Sequence, residues 1–172
     1  MNIRRQTIAD VDKIFNILSH ESVAPFLLTE SRDTAYTVAK AFLLDSSVYV
    51  LSPEPQTCLV FTSRTNIALT VHMCAIDGAD RARAFDSAKH SIRWIFDNTD
   101  YTKLVGEIEV SNRRAIMGAL RCGFKKEGLL KEAILMWGKA CDEVVVGITK
   151  TEFFEANKTW LDAHPLNPGI TA

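Results

Sequence analysis

The chain has 172 residues, of which 47% are apolar, and a formal net charge of −1. That length suits one domain with a substantial core, that apolar fraction is globular rather than disordered, and a charge near zero argues against a general nucleic-acid binder. No apolar run approaches the ~20 residues of a membrane span and the opening MNIRRQTIAD lacks the apolar core of a signal peptide, so the expectation is a soluble, cytoplasmic protein with no membrane partner.

Residues 2–6 read as a first strand. Thr7 and Asp10 then resemble a capping box, with Asp in place of the longer Glu. Val11, Ile14, Phe15 and Leu18 recur at i, i+3, i+4 and i+7, the apolar face of an amphipathic helix. Residues 20–25 interrupt it. Ser31 or Asp33 can cap a second helix that buries Ala35, Val38, Ala39, Phe42 and Leu43. Residues 47–51 and 57–62 read as strands around a turn with two prolines, and residues 67–76 as a long apolar strand after a hairpin connection. Asp77, Gly78, Ala79 and Asp80 break that strand, and a helix follows with Phe85, Ala88, Ile92, Ile95 and Phe96 on one face.

The stretch from 103 to 149 is the most informative. Leu104, Val105 and Ile108 make a short apolar strand. Ser111 and Asn112 are good helix N-caps, because their side-chain oxygens accept from backbone N–H groups that have no helical partner. Ala115, Ile116, Ala119 and Leu120 recur at helical spacing, and Gly123 sits where a left-handed residue ends a helix. Two extended segments follow, separated by a turn at Trp137 and Gly138. A C-terminal helix carrying Phe153, Phe154 and Trp160 closes the domain, expected over 1–163. The Pro- and Gly-containing residues 164–172 read as a poorly ordered tail. The four cysteines lack metal-ligand spacing and read as reduced thiols, and the four histidines are equally scattered, so no metal site is expected.

These pieces resemble the GNAT superfamily of N-acetyltransferases, in pattern the ribosomal-protein-alanine acetyltransferase-like branch. The likeness rests on the strand leading to Asn112, the helix closing in Cys122-Gly123-Phe124, then Lys125-Lys126-Glu127-Gly128, the Trp137-Gly138 turn, and Asp142 before Val144-Val145-Val146. It extends more weakly over residues 3–153. The resemblance implies an α/β (α+β) fold with a mixed sheet of about seven strands, splayed in the middle to form an acyl-CoA slot, and helices on both faces. It implies acetyl-CoA as co-substrate and an amine acceptor: a protein N-terminus, a lysine or a small-molecule amine. Many family members dimerise through late strands, so a homodimer is one option.

The family cradles the pyrophosphate at the turn between the strand 67–76 and the next helix, using a Gln/Arg, two residues, Gly, one residue, then Gly or Ala. The matching residues here are 79–84. Ala79 replaces the polar residue, Ala82 replaces the first glycine, and Ala84 is allowed. Alanine keeps its amide, and free amides at a helix N-terminus suit an anion. The expected contacts are therefore Arg81, Ala82, Arg83 and Ala84, with backbone of Cys74, Ala75 and Ile76 along the strand and Asn112 beside it. Arg81 and Arg83 can equally be solvated, and Asn112 can serve as cap, ligand contact or both.

Acetyl transfer to an amine needs a proton acceptor and a donor for the oxyanion. The family's backbone donor would fall around residues 73–75. Its strand glutamate is missing, and its tyrosine four residues before the Gly-Phe pair is Ala119 here. His72 is the candidate base on the strand, with a structural histidine as the other reading. Glu107 is a second candidate, sharing a strand face with Glu109 by alternation; both can also be solvated carboxylates. A cysteine nucleophile, Cys74 or Cys122, would be atypical of the family. Residues 22–32 would shape acceptor choice, with Phe26, Leu27 and Leu28 as an apolar wall or simply as core. The alternative to an N-acetyltransferase is a catalytically inactive protein of this fold that acts as a structural or interaction module. An exposed apolar patch at Phe153, Phe154 and Trp160 would favour that alternative.

Overall fold

A computed structural model describes residues 3–27, 32–136 and 138–165, apart from the side chains of 26, 27 and 32–34. After a single 3-10 turn the elements are α1 (Val11–Leu18), α2 (Ala24–Leu27), α3 (Arg32–Leu44), β1 (Tyr49–Leu51), β2 (Thr57–Ser63), β3 (Ala68–Ala75), α4 (Arg81–Asn98), β4 (Lys103–Glu109), α5 (Arg113–Arg121), β5 (Lys125–Met136), β6 (Lys139–Thr149), α6 (Lys150–Ala156) and α7 (Lys158–Ala163). The strands form one mixed sheet in the order β1-β2-β3-β4-β6-β5. Six strands are present among the described residues where about seven were expected. The N-terminal segment does not form a strand there: it makes one bridge, Arg5 to Leu51, and Gln6 N–H donates to Val50 O at 2.8 Å. None of the described helices is long and apolar enough to cross a membrane.

Alternation along the strands sends side chains to two cores, one on each face. On one face Leu59, Phe61, Leu69, Leu104, Val146 and Ile148 pack under α4, α5 and α6. On the other, Cys58, Val60 and Cys74 pack under α1 and α3 against Ile14, Ile17, Leu18 and Ala39. Burial on both sides explains why Cys58–Phe61 is a continuous apolar run rather than an alternating one. Phe153 is 0% exposed, with its ring 5.8 Å from that of Phe96; burying such a side chain is worth about 1.5–3 kcal/mol. Phe154 packs on the same core, and Trp160 Nε1 donates to Asp86 Oδ1 at 2.9 Å. The C-terminal aromatics are therefore packed, and the exposed patch they were considered for is not there.

Helix α5 follows the local rules. Asn112 Oδ1 accepts from Ala115 N–H at 3.1 Å. At the other end Gly123 N–H donates to Leu120 O and Phe124 N–H to Ala119 O, both at 3.1 Å, with Gly123 at φ +99°. This is a Schellman closure, in which a residue in the left-handed region turns the chain and satisfies carbonyls the helix leaves free. In β5 the chain bulges between Lys126 and Gly128 and again between Leu130 and Ile134. Glu132, at φ 50°, donates its N–H to Asp142 Oδ1 at 2.9 Å, which gives Asp142 a structural task. Trp137 and the tail from 166 onward lie outside the described residues, as do Leu28 and Ser31.

Candidate functional site

Strands β3 and β4 run parallel, and their pairing ends almost as soon as it begins. Ala68, Leu69 and Thr70 lie opposite Lys103, Leu104 and Val105, and there the ladder stops. Beyond it the strands part and leave a cavity of about 860 Å³. Helix α4 starts at the far end of β3 and α5 at the far end of β4, so both N-termini stand at the mouth.

The hydrogen-bond phase of the outer pairs determines which backbone groups face this gap. Ile76 N–H donates to Gln56 O at 3.1 Å and Arg64 N–H to Ala68 O at 3.0 Å. With the β2–β3 register, these bonds commit the even-numbered β3 residues to β2. Past the last β3–β4 pair, Thr70 with Val105, the amides and carbonyls of Met73 and Ala75 therefore point into the slot. By the same logic, Val110 N–H donates to Asp142 O at 3.1 Å, so the even-numbered β4 residues serve β6 and the odd-numbered ones face β3.

The cavity brings together His72, Cys74, Ala75, Arg81, Ala84, Glu107 and Asn112; Ile76, Ala82 and Arg83 are not part of its lining. Ile76 packs against the α1/α3 core instead. Ala119, where the family has its tyrosine, lines the cavity and offers no titratable group. Of the expected acceptor wall, Ser22 and Val23 reach the cavity. Ser22 is anchored, because Asp77 N–H donates to its Oγ at 3.0 Å and His20 Nδ1 lies 2.8 Å from the same atom. Of the proposed apolar trio, Leu28 and the side chains of Phe26 and Leu27 lie outside the described residues.

Charged groups around the cavity divide by sheet face. Arg81, on α4, and Arg113 and Arg114, on α5, line it from the helical side. Glu107 and Glu109 on β4 and Glu143 on β6 also line it, and alternation turns them to the opposite face from Leu104, Val146 and Ile148. Glu109 lies directly across from Glu143 in the register. It is 8% exposed and compensated locally: Ser111 donates both its N–H, at 3.0 Å, and its hydroxyl. Glu107 accepts from Arg64 Nη1 at 2.8 Å. The Glu143 carboxylate makes no hydrogen bond or ion pair among the described residues. Burial raises its carboxyl above the usual range, and the charges of Glu107 and Glu109 push the same way. Sequence reasoning passed over Glu143; its alternation with Val144 was visible, but the strand pairing that sets it opposite Glu109 was not.

His72 is half-buried on the face shared with Glu107. Burial lowers its pKa, and the Glu107 charge opposes that shift in part. At neutral pH the imidazole is therefore uncharged and able to accept a proton.

The N-terminus of α4 departs from the expected phosphate cradle. Asp80 Oδ1 accepts from Ala82 N–H at 2.9 Å and from Arg83 N–H at 3.3 Å. Two of the amides that would face a pyrophosphate thus already hold an anion, the chain's own. Arg114 pairs with Asp77 across the mouth. The arginines on the helical side have the chemistry to hold phosphates; the amides of Ala82 and Arg83 do not fit that task while Asp80 caps them.

No protein-family model matches this chain, and neither does any curated protein. Solved structures do. The spermidine N-acetyltransferase of Vibrio cholerae, crystallised with CoA and spermine, is 16% identical, with a TM-score of 0.72 over 89% of this chain and 97% of that one. The ribosomal-protein-S5-alanine acetyltransferase of Vibrio fischeri is 15% identical, with a TM-score of 0.73 over 88% of this chain and 93% of that one. The mixed sheet, parted between its two parallel strands and flanked by helices on both faces, is the GNAT acetyltransferase fold, and this chain has it.

Proposed function

We propose that the protein is an acetyl-CoA-dependent N-acetyltransferase that passes the acetyl group directly to an amine. The observation that carries this reading is the charge division of the parted sheet. Arginines line the slot from the α4/α5 side, where an anionic donor can lie, and carboxylates line it from the other, where a cationic amine can approach.

In this reading the slot-facing amides of Met73 and Ala75 supply hydrogen-bond donors for a thioester carbonyl as it gains negative charge. Glu107, Glu109 and Glu143 draw in an ammonium group. His72, neutral at working pH, takes the proton the amine must lose. The C–N bond then forms as the C–S bond breaks, and the second proton shed by the nitrogen as it becomes an amide goes to the departing thiolate, which leaves as the CoA thiol. Acceptors compatible with this geometry include a protein N-terminus, a lysine and a small-molecule amine.

One observation favours the rival reading, a catalytically inactive protein of this fold acting as a structural or interaction module: the self-capped α4 N-terminus, which lacks the free amides a pyrophosphate would use. Calorimetric titration of acetyl-CoA, followed by an acetylation assay on a broad amine panel, separates the two. Micromolar binding with turnover supports the transferase. Binding without turnover of any amine, or no binding by the folded protein, rejects the transferase and favours the inactive module.

A further inference from the structure

The acetyl-CoA reading leaves open what holds the donor's phosphates once Asp80 has taken the α4 amides. Three arginines at the mouth are placed for it. Arg81, Arg113 and Arg114 all line the cavity, whereas Ala82 and Arg83, whose amides Asp80 caps, do not. Arg81 and Arg113 form no ion pair among the described residues, and both are exposed. Arg114 is paired with Asp77, but that pair is open to water, with side-chain exposures of 56% and 62%. Pairs so exposed contribute little and exchange readily.

Resting on the proposed use of acetyl-CoA, we propose that this chain grips the donor's phosphates with guanidinium groups, Arg113 and Arg114 of α5 with Arg81 of α4, and that Arg114 exchanges Asp77 for a phosphate oxygen when the donor enters. A phosphate offers a guanidinium two parallel hydrogen bonds and more charge than one carboxylate, so the exchange runs toward the ligand. Asp80 stays where it is, as a built-in substitute for the anion that free amides would otherwise bind. Asp77 acts as a place-holder: it keeps Arg114 aimed across the mouth and competes with the donor. The phosphate grip thus moves from backbone on one helix to side chains mainly on the other.

Calorimetry on four proteins tests this: the native chain, Arg113→Gln/Arg114→Gln, Asp77→Asn and Asp80→Ala. CoA and the phosphate-free thiol pantetheine are the two probes. All substituted positions are exposed, and thermal melts check that each variant is folded. The expected results are CoA binding about tenfold or more weaker in the double arginine variant, severalfold tighter in Asp77→Asn, and little changed in Asp80→Ala. Pantetheine should bind more weakly than CoA and respond to none of the changes. If Asp80→Ala instead gives the large gain while the arginine variant binds as the native protein does, the amides are the grip and the proposal is overturned. Equal binding of CoA and pantetheine to the native chain overturns it as well, with the donor reading intact. If CoA binds none of the four proteins, the donor reading itself falls and takes this inference with it.

Discussion

His72 and Glu107 are the residues that would face each other if the β3–β4 ladder ran two steps further. The last pair is Thr70 with Val105, and the same offset carries His72 to Glu107. Because the strands part first, the two side chains flank the opening on one face of the sheet, close enough for the carboxylate to act on the imidazole electrostatically.

Under the proposed transferase reading, this arrangement predicts a pH profile. His72→Gln should lower kcat by about 10²–10⁴-fold while leaving acetyl-CoA binding within twofold. In the native protein kcat/KM should fall on the acid side through a pKa below the ordinary histidine value of about 6.5, because burial holds the imidazole neutral. Glu107→Gln removes the charge that favours imidazolium, so the acid limb should move to still lower pH. An unchanged limb in His72→Gln would mean that another group takes the proton.

On the proposed function, Glu143 links stability to acceptor binding. Its carboxyl is raised in the folded state by burial and by two neighbouring carboxylates, so folding favours its protonated form. Its ionisation therefore costs stability as pH rises past the unfolded value of about 4.3. Glu143→Gln should raise Tm at pH 7, and the gain should shrink as pH falls toward 4. The same variant should raise KM for a cationic amine severalfold and leave that for acetyl-CoA alone. Melts across pH, with steady-state kinetics at pH 7, check both halves.

A second pH dependence comes from the far side of α4. There His90 packs edge-on against Trp160 at 4.7 Å and against His164 at 5.4 Å, with Asp86 and Arg93 on the same helix. Arg93 Nη1 donates to His164 O at 2.7 Å and so helps hold the end of α7. Burial, and then the charge of His164, lower the His90 pKa to about 4. The unfolded chain takes up a proton near 6.5 that the folded one refuses until about 4, so stability should fall as pH drops between those values. His90→Gln should flatten that slope in melts taken from pH 7 to 4.5.

Gly123→Ala should destabilise the fold without touching the slot. Its φ of +99° costs a residue with a Cβ about 1–2 kcal/mol. The new methyl would also press on Ile148 Cδ1 at 3.2 Å and on Ala156 Cβ and Asn157 Nδ2 at 3.3 Å. A lower denaturation midpoint with unchanged acetyl-CoA affinity is the expected result; equal stability would show that α6 shifts freely.

What could be read from the chain alone was the locally encoded part. Asn112 before a helical repeat and Gly123 after it mark α5 because cap and closure act within a few residues. The long apolar strand ending at Asp77 and the helix after it were legible for the same reason. What was not legible depends on partners distant in sequence or on one side-chain rotamer. Residues 2–6 have a strand's composition, but among the described residues 3–6 only Arg5 forms a bridge, to Leu51. Glu143 gained meaning only through its register with Glu109. Asp80 could be counted from the sequence as a charge opposing phosphate, but only its rotamer shows that it already occupies two amides. Of the ten residues proposed for the site, Ala82 and Arg83 fall outside the cavity because a six-residue motif match cannot say which of its members turn inward, and Ile76 does because it packs into the α1/α3 core.

The early end of the β3–β4 ladder has one more consequence. Met73 and Ala75 are interior strand residues whose slot-side amides lie beyond the last β3–β4 pair and lack a neighbouring strand, an edge placed in the middle of the sheet. In hydrogen exchange these two amides should behave like edge amides, faster than those of His72 and Cys74, which are bonded to β2. An extended ligand with amides of its own, laid along β3, would act as the strand that is missing there. The exchange rates of alternate residues would then converge, and the size of that convergence would measure how far along β3 the ligand reaches.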